Sequence, residues 1–231
     1  MKIGGIQKVS LVDYPGKVAA VIFTIGCNFR CGYCHNPGLV LPNAYFEEIN
    51  AVEVLSFLER RAGKLDAVVV SGGEPTAHKD LPGFIRAVRD MGYAVKLDTQ
   101  GSNPGALEGL VREGLLDYIA MDIKGPLDKY PEIAGLNMDT AAVERSVRVV
   151  MGSGLPYEFR TTVVKSQLAV SDFYRIGELI TGAERYALQR FKSADQMIDS
   201  ERFRDEVTHG DGELMLIQAI MRQYVNYCVI R

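Results

Sequence analysis

Three of the four cysteines fall within one short stretch, GCNFRCGYCHNPG, which runs from Gly26 to Gly38. Cys27, Cys31 and Cys34 have the spacing C-x3-C-x2-C, and closely spaced thiolates are ligands for metal ions or iron–sulfur clusters. An electron-transfer [4Fe–4S] cluster takes four thiolates. Three therefore indicate a cluster whose fourth iron is open to a substrate or cofactor. Cys228, far downstream, is interpreted as an unpaired core or surface cysteine.

Two other interpretations of these cysteines compete with the cluster. One is three free or buried thiols. The other is structural zinc with His35 as the fourth ligand, which would make the chain a zinc-stabilised binding module rather than an enzyme. Adjacent Cys34 and His35 would have difficulty reaching one tetrahedral ion, and a second CxxC pair is missing. The pattern therefore favours the cluster.

Polar residues also follow three apolar runs farther along the chain. The run VVVSGGEPT ends in two glycines and Glu74, and glycines at a strand end let a ligand approach the backbone. The segments KLDTQGS and AMDIKGP place Asp98 with Thr99 and Asp122 with Lys124 at the ends of later runs. Charged side chains there indicate a polar pocket. The alternatives are a tight turn for the glycines and rim salt bridges for the charged residues.

An alternation of strands and helices must position these motifs. Six apolar runs predict strands at Val18–Thr24, Ala67–Ser71, Tyr93–Thr99, Tyr118–Ile123, Glu158–Val164 and Arg185–Phe191. Helical spacing lies between them, including a helix after Leu81 with Asp80 as its cap, and a last helix is predicted at Gly212–Val225. The polar segments Lys124–Asp139 and Lys192–Asp211 predict loops or short helices. Such alternation predicts an α/β fold of parallel strands, and the pattern fits an open sheet or an incomplete barrel.

Composition excludes several classes of function. The chain has 231 residues, is 47% hydrophobic and carries a net charge of −3, so no basic field favours nucleic acid or an anionic membrane. It has no long apolar span and no signal peptide, which favours a cytoplasmic protein. In the cytoplasm cysteines are more often ligands than disulfide partners.

The cysteine spacing with Tyr33 before the last cysteine, followed by GGEP, resembles the radical S-adenosylmethionine (SAM) superfamily. The resemblance implies one [4Fe–4S] cluster on Cys27, Cys31 and Cys34, in a loop after the first strand of a partial (β/α)6 TIM-type barrel. Residues 1–231 would then form a single radical SAM domain. It also implies that Gly72, Gly73 and Glu74 bind the amino group of SAM, with Tyr33 beside the cofactor.

The later segments are similar to the D-T-N-G and D-x-K segments of glycyl-radical-enzyme activating proteins. This similarity makes Asp98, Thr99 and Asp122 candidates for contacts to SAM and to a monovalent cation. Lys124 becomes a candidate for holding the SAM carboxylate or ribose. Arg160, in the fifth predicted strand, could reach the cofactor or a neighbouring carboxylate.

The phrases SLVDYPG, CHNP, LDTQGSNP and AMDIKGPLDKY resemble the anaerobic ribonucleoside-triphosphate reductase activating proteins. The resemblance implies an oxidoreductase that cleaves SAM reductively to a 5′-deoxyadenosyl radical and generates a glycyl radical on that reductase. A flavodoxin or ferredoxin would supply the electron, and no residue beyond the cluster and SAM is assigned as catalytic. The alternative enzyme is a radical SAM protein acting on a small molecule, similar to 7-carboxy-7-deazaguanine synthase.

Overall fold

The computed structural model describes residues 1–231 and has eight strands in one sheet, in chain order. The strands are β1 Ile3–Ser10, β2 Ala19–Thr24, β3 Ala67–Gly72, β4 Ala94–Thr99, β5 Tyr118–Asp122, β6 Tyr157–Val163, β7 Tyr186–Arg190 and β8 Cys228–Ile230. β1 is antiparallel to β2, whereas β2–β3, β3–β4, β6–β7 and β7–β8 are parallel pairs. The predicted α/β class with parallel strands is confirmed.

Nine helices accompany the strands. They are α1 Pro37–Val40, α2 Ala51–Arg60, α3 Leu81–Asp90, α4 Pro104–Arg112, α5 Tyr130–Ala134, α6 Ala141–Met151, α7 Asp172–Leu179, α8 Ser200–Phe203 and α9 Asp211–Met221. Two 3-10 turns lie at Pro75–Ala77 and Leu127–Lys129. None of the helices is long and apolar enough to cross a membrane.

The first of two compact units contains Met1–Asn28, Asn36–Thr99 and Asn103–Ile119. Its strands β2 and β3 run in register up to the pair Thr24 and Gly72, so their carboxyl ends lie at the same edge. β3 contains three consecutive valines, Val68–Val70, and all three are fully buried, so both faces of the strand are covered.

Helix α3 of this unit buries the predicted stripe on Leu81, Phe84, Ile85 and Val88. The prediction that the Asp80 side chain caps this helix is wrong. Asp80 stands at the N-cap position but makes no capping hydrogen bond, because its carboxylate pairs with the amino group of Met1.

The second unit contains Phe29–His35, Gln100–Ser102 and Ala120–Arg231. β6 and β7 pair from Phe159 with Tyr186 up to Val163 with Arg190, and helices α6, α7 and α9 bury apolar faces. Cys228 on β8 is buried and pairs with Tyr186, the first residue of β7. It therefore lies at the amino end of the strands in this unit.

All six predicted strands are present, with ends shifted by at most a few residues. Two strands were missed. β1 carries two glycines and mostly half-exposed or exposed residues, and β8 has only 3 residues, so neither produces an apolar run. The segments predicted as loops or short helices contain only α5, α8 and a 3-10 turn. The single radical SAM domain stays a prediction.

Candidate active site

The GGEP turn follows β3 in the first unit and is packed directly against the end of β2. The Gly73 amide donates to the Thr24 carbonyl at 2.9 Å, and the Glu74 amide donates to the Gly26 carbonyl at 2.8 Å. A Cβ on Gly72, whose φ is +111°, would overlap the Thr24 backbone, and one on Gly73 would overlap the Gly26 carbonyl. Both glycines are therefore required by this close backbone approach.

Glu74 is buried at the centre of a small hydroxyl network. Its Oε1 accepts hydrogen bonds from the amide and hydroxyl of Thr76 and from the Thr99 hydroxyl, the last at 2.7 Å. Only 1% of Glu74 is exposed. The structure thus brings together Glu74 and Thr99, two of the residues predicted to contact SAM.

Asp98, on β4 beside Thr99, pairs with a buried lysine. Lys96 Nζ lies 2.6 Å from Asp98 Oδ1, and the Ser71 hydroxyl donates to Oδ2 at 3.1 Å. Lys96 also lies over the Tyr118 ring, 5.9 Å from its centroid. The sequence interpretation missed Lys96, although its position two residues before Asp98 puts both side chains on one face of the strand.

The cysteine loop of the second unit, Phe29–His35, is held by two neighbouring segments. The Arg30 amide donates to the Ala134 carbonyl of α5 at 2.7 Å. The amides of Ile198 and Asp199 donate to the carbonyls of Cys34 and Gly32 at 3.1 and 2.9 Å. Backbone hydrogen bonds from two elements therefore fix the loop that carries Cys31 and Cys34.

An aromatic cluster supports the same loop. The buried Tyr33 ring packs edge-to-face on Phe191, just after β7, and on Phe203 of α8, with centroids 6.3 and 6.1 Å apart. The His35 ring lies 5.8 Å from Phe191. Phe191 and Phe203 were not predicted, because no local spacing links them to the cysteines.

The ends of β5 and β6 carry a charged triad in the second unit. Arg160 Nε donates to Asp122 Oδ1 at 2.8 Å, and Lys124 Nζ donates to Oδ2 at 3.2 Å. The Lys124 amide also donates to the Tyr130 hydroxyl at 3.1 Å. The predicted pair Asp122 and Lys124 is thus brought together, and Arg160 contacts this carboxylate.

The charged groups of this triad shift one another's pKa values. Burial would raise the pKa of Asp122, but Arg160 and Lys124 hold it down at about 2. Burial would lower the pKa of Lys124, but the Asp122 carboxylate, with Tyr33 and Cys31, raises it well above its ordinary value. Burial raises the pKa of the Cys31 thiol, and the Lys124 ammonium opposes that rise. The net effect is a raised pKa for Cys31, and the Lys124 ammonium offsets only part of the burial that disfavours its thiolate.

The cysteine spacing and the following strand ends match a family model. Residues 21–168, more than half of the chain, match the model described as the radical SAM superfamily. This chain belongs to the radical SAM superfamily. This membership overturns the interpretation of the cysteines as a structural zinc site, because radical SAM enzymes use a [4Fe–4S] cluster and SAM.

Two relatives carry names from the activating enzymes. The chain is 33% identical to a predicted glycyl-radical enzyme activating enzyme, MJ1227, of Methanocaldococcus jannaschii, covering 99% of this chain and 95% of that protein. It is 33% identical to the pyruvate formate-lyase-activating enzyme of Clostridium pasteurianum, covering 53% of this chain and 52% of that protein. Relatives named for other activities also match: the 7-carboxy-7-deazaguanine synthases of Aquifex aeolicus and Methanopyrus kandleri are 30% and 27% identical over 33% and 70% of this chain, and a GTP 3′,8-cyclase homologue of Halobacterium salinarum is 38% identical over 41% of it.

A solved structure confirms the radical SAM fold. SuiB of Streptococcus suis, in the structure bound to S-adenosylmethionine, aligns with a TM-score of 0.67 and 13% identity. The alignment covers 91% of this chain and 49% of that chain. At this identity the likeness concerns the fold alone.

The residues present suit a radical SAM cofactor set. Three thiols lie in one short stretch, and the buried Cys31 has the Lys124 cation nearby, which stabilises the thiolate that iron binds. No three His, Cys, Asp or Glu side chains converge on a single ion. A cluster does not require this, since each thiolate binds a different iron.

Gly32→Ala tests the support of the cysteine loop. A Cβ at Gly32 would lie 2.6 Å from Phe203 Cε2 and 3.3 Å from Asp199 Cβ. We expect the apoprotein to lose about 1–3 kcal/mol of unfolding free energy, and reconstituted iron to fall. Chemical unfolding and iron analysis measure both effects. Gly83→Ala in α3, where a Cβ meets nothing within 4 Å, is the matched control and should leave both unchanged or slightly raise stability.

Asp122→Asn tests the charged triad. It would leave Arg160 and Lys124 without their anion, and about 2–3 kcal/mol of stability should be lost in urea unfolding, less than for a fully buried pair because Asp122 is 31% exposed. Glu144→Gln, in the exposed pair with Arg148, should cost about 0.5 kcal/mol or less.

The same carboxylate predicts a pH dependence. The folded pKa of Asp122 of about 2 is below the unfolded value of about 3.9. Its contribution is therefore complete above pH ~4 and is lost as the pH falls through 2. Unfolding of the wild type and of Asp122→Asn between pH 7 and 2 should converge at the acid end, and a constant difference would contradict this role.

Proposed function

We propose that this radical SAM enzyme activates a glycyl-radical enzyme, and that its partner is an anaerobic ribonucleoside-triphosphate reductase. The observation that carries the first part is the 33% identity to MJ1227 over 99% of the chain. The three cysteines in one short stretch, Cys27, Cys31 and Cys34, are consistent with it. The phrases CHNP and LDTQGSNP, with their resemblance to the reductase activators, support the second part.

The residues of this chain supply binding and orientation in the proposed reaction. Cys27, Cys31 and Cys34 would hold a [4Fe–4S] cluster, one per chain. When bound, the cluster and SAM supply the reductive carbon–sulfur cleavage that yields a 5′-deoxyadenosyl radical, which takes a hydrogen atom from the partner's glycine. The protein contributes position and a low-dielectric setting, and no side chain here is assigned as a general base.

SAM contacts are proposed for the residues at the strand ends. Glu74 would accept the SAM ammonium, since a buried carboxylate forms charge-assisted hydrogen bonds. Gly72 and Gly73 would shape the turn that presents it, with Thr99 beside it. Lys124 would bind the SAM carboxylate or ribose, and Tyr33 would lie next to the cofactor.

A monovalent cation is not part of this proposal. Asp98 is already paired with Lys96, and Asp122 is already paired with Arg160 and Lys124. Each candidate carboxylate therefore has its charge balanced by the protein itself.

The electron would come from outside the chain. The chain has four cysteines, and the fourth, Cys228, is buried at the amino end of the strands, so no second cluster site accompanies the first. We therefore propose a flavodoxin or a ferredoxin as the reductant, since each is a one-electron carrier.

Anaerobic reconstitution tests the proposal in two steps. The first measures iron, sulfide and 5′-deoxyadenosine with SAM and dithionite, and absence of both cluster and cleavage rejects the radical SAM chemistry. The second adds an anaerobic ribonucleotide reductase and looks for a glycyl radical doublet by electron paramagnetic resonance. Pyruvate formate-lyase is the comparison partner. A doublet on that protein alone would replace the proposed partner, and cleavage with no doublet on either would favour the small-molecule alternative.

A further inference from the structure

Two aromatic rings flank the two ends of the cysteine stretch in the first unit. The Phe46 amide donates to the Gly38 carbonyl at 2.9 Å, and its ring covers Gly38 so closely that a Cβ there would lie 2.5 Å from it. The Tyr45 hydroxyl lies 4.0 Å from the Cβ position of Gly26, the residue before Cys27. Phe46 is therefore held on Gly38, after the last cysteine, and Tyr45 lies close to Gly26, before the first. These two residues are here termed the aromatic shelf.

The aromatic shelf is exposed in spite of this anchoring. Tyr45 is 37% exposed and Phe46 is 52% exposed. The next two residues, Glu47 and Glu48, are also exposed, and neither has an ion pair within the chain. The segment thus presents apolar rings with two exposed glutamates beside them.

Two of the most exposed apolar side chains of this unit lie at the opposite end of β2. Leu11 and Val12 are 73% and 86% exposed, in the turn after β1. Ser10 pairs with Ala19, the first residue of β2, so this turn lies at the amino end of β2. Gly26 and the aromatic shelf follow its carboxyl end, where the cysteine stretch begins.

The shelf suits a protein better than a small molecule. Small-molecule sites are concave and bury most of the ligand, whereas residues 42–48 of this segment, the two rings included, are all exposed. Aromatic rings are enriched in the centre of protein interfaces, where they supply contact area at low entropic cost. Unpaired glutamates at the edge select a partner that carries lysine or arginine there.

We propose that Tyr45, Phe46, Glu47 and Glu48 form the docking surface for the glycyl-radical enzyme, whose contact segment carries apolar and basic side chains. This inference rests on the proposed function. A glycine offers no side chain to hold, so affinity for the target loop must come from contacts beside the reaction site. The aromatic shelf is the exposed apolar surface of this unit that adjoins the cysteine stretch.

The test measures the rate of glycyl radical formation against the concentration of anaerobic ribonucleotide reductase. Phe46→Ala should raise the KM for the reductase about tenfold, the size expected of an interface anchor. The double variant Glu47→Lys with Glu48→Lys should raise KM and reverse its dependence on salt, because like charges would then meet. Release of 5′-deoxyadenosine without the reductase should stay at the wild-type rate in both variants.

Leu11→Ala is the matched control, since it removes an exposed apolar side chain from the other end of β2. Its KM should equal that of the wild type, and a loss as large as that of Phe46→Ala would overturn the assignment to the shelf. If Phe46→Ala fails to fold or to bind iron, the KM of the double variant Glu47→Lys with Glu48→Lys tests the inference instead. KM values within twofold of the wild type in both shelf variants would reject the inference alone. Absence of a radical with the wild-type protein would reject the proposed function and this inference with it.

Discussion

Alanine in place of Cys27, Cys31 or Cys34 is expected to abolish both cluster binding and SAM cleavage. Each thiolate would hold a different iron, and with two thiolates left the cluster loses a third of its protein ligands. Iron and sulfide content, the visible absorption of the reconstituted protein and 5′-deoxyadenosine release measure the effect. In each variant the iron content should fall to near background and SAM cleavage should be undetectable, which corresponds to a loss of several orders of magnitude in activity.

Cys228→Ala is the control for these three variants. Cys228 is buried and pairs with the first residue of β7, whereas Tyr33 of the cysteine loop packs on Phe191, just beyond the end of β7. The length of β7 separates these positions by roughly 13 Å. We expect full iron content and full cleavage, with a stability loss of about 1 kcal/mol from the lost side chain. Loss of the cluster in this variant would show that the three-ligand assignment is wrong.

The positions of six strands could be predicted because buried parallel strands have a strong sequence signal. β3 reads AVVVSG and β5 reads YIAMD, runs that are apolar on both faces. β1 has only its two end residues buried and contains two glycines, and it pairs antiparallel at the edge of the sheet. An edge strand of this kind lacks the apolar run, so hydrophobic pattern alone could not find it.

The site residues divide in the same way. Residues within one motif, such as Cys31 with Cys34 or Asp122 with Lys124, are neighbours because of local geometry, and the sequence predicted their proximity. The partners Arg160 and Phe203 reach the site from distant parts of the chain. Their contacts depend on tertiary packing, which one sequence without homologues does not reveal.

The reason for the glycines also required the structure. Sequence reasoning predicted that Gly72 and Gly73 leave room for a ligand. The structure shows that Thr24 and Gly26 backbone atoms fill the places where side chains would be. The glycines thus permit a close contact between β2 and β3, and that contact fixes the position of Glu74.

Glu74 offers the sharpest separation between a structural role and a cofactor role. In Glu74→Gln the amide oxygen can still accept from Thr76 and Thr99, so the turn should keep its hydrogen bonds. The variant replaces the second carboxylate oxygen with an NH2 group and loses the negative charge, and the charge-assisted bond to the SAM ammonium goes with it. We expect a melting temperature close to that of the wild type and SAM affinity reduced about tenfold or more, measured by equilibrium binding to the reconstituted enzyme.

Glu74→Ala should behave differently, because it removes the acceptor as well as the charge. Two buried hydroxyls and the Thr76 amide would lose their partner, at a cost of about 2–4 kcal/mol in unfolding free energy. Loss of SAM binding in the glutamine variant at full stability would assign the carboxylate to the cofactor. Wild-type SAM affinity in that variant, with destabilisation only in the alanine variant, would make Glu74 a support of the turn. SAM would then have to find its acceptor among the backbone carbonyls of Gly72 and Gly73.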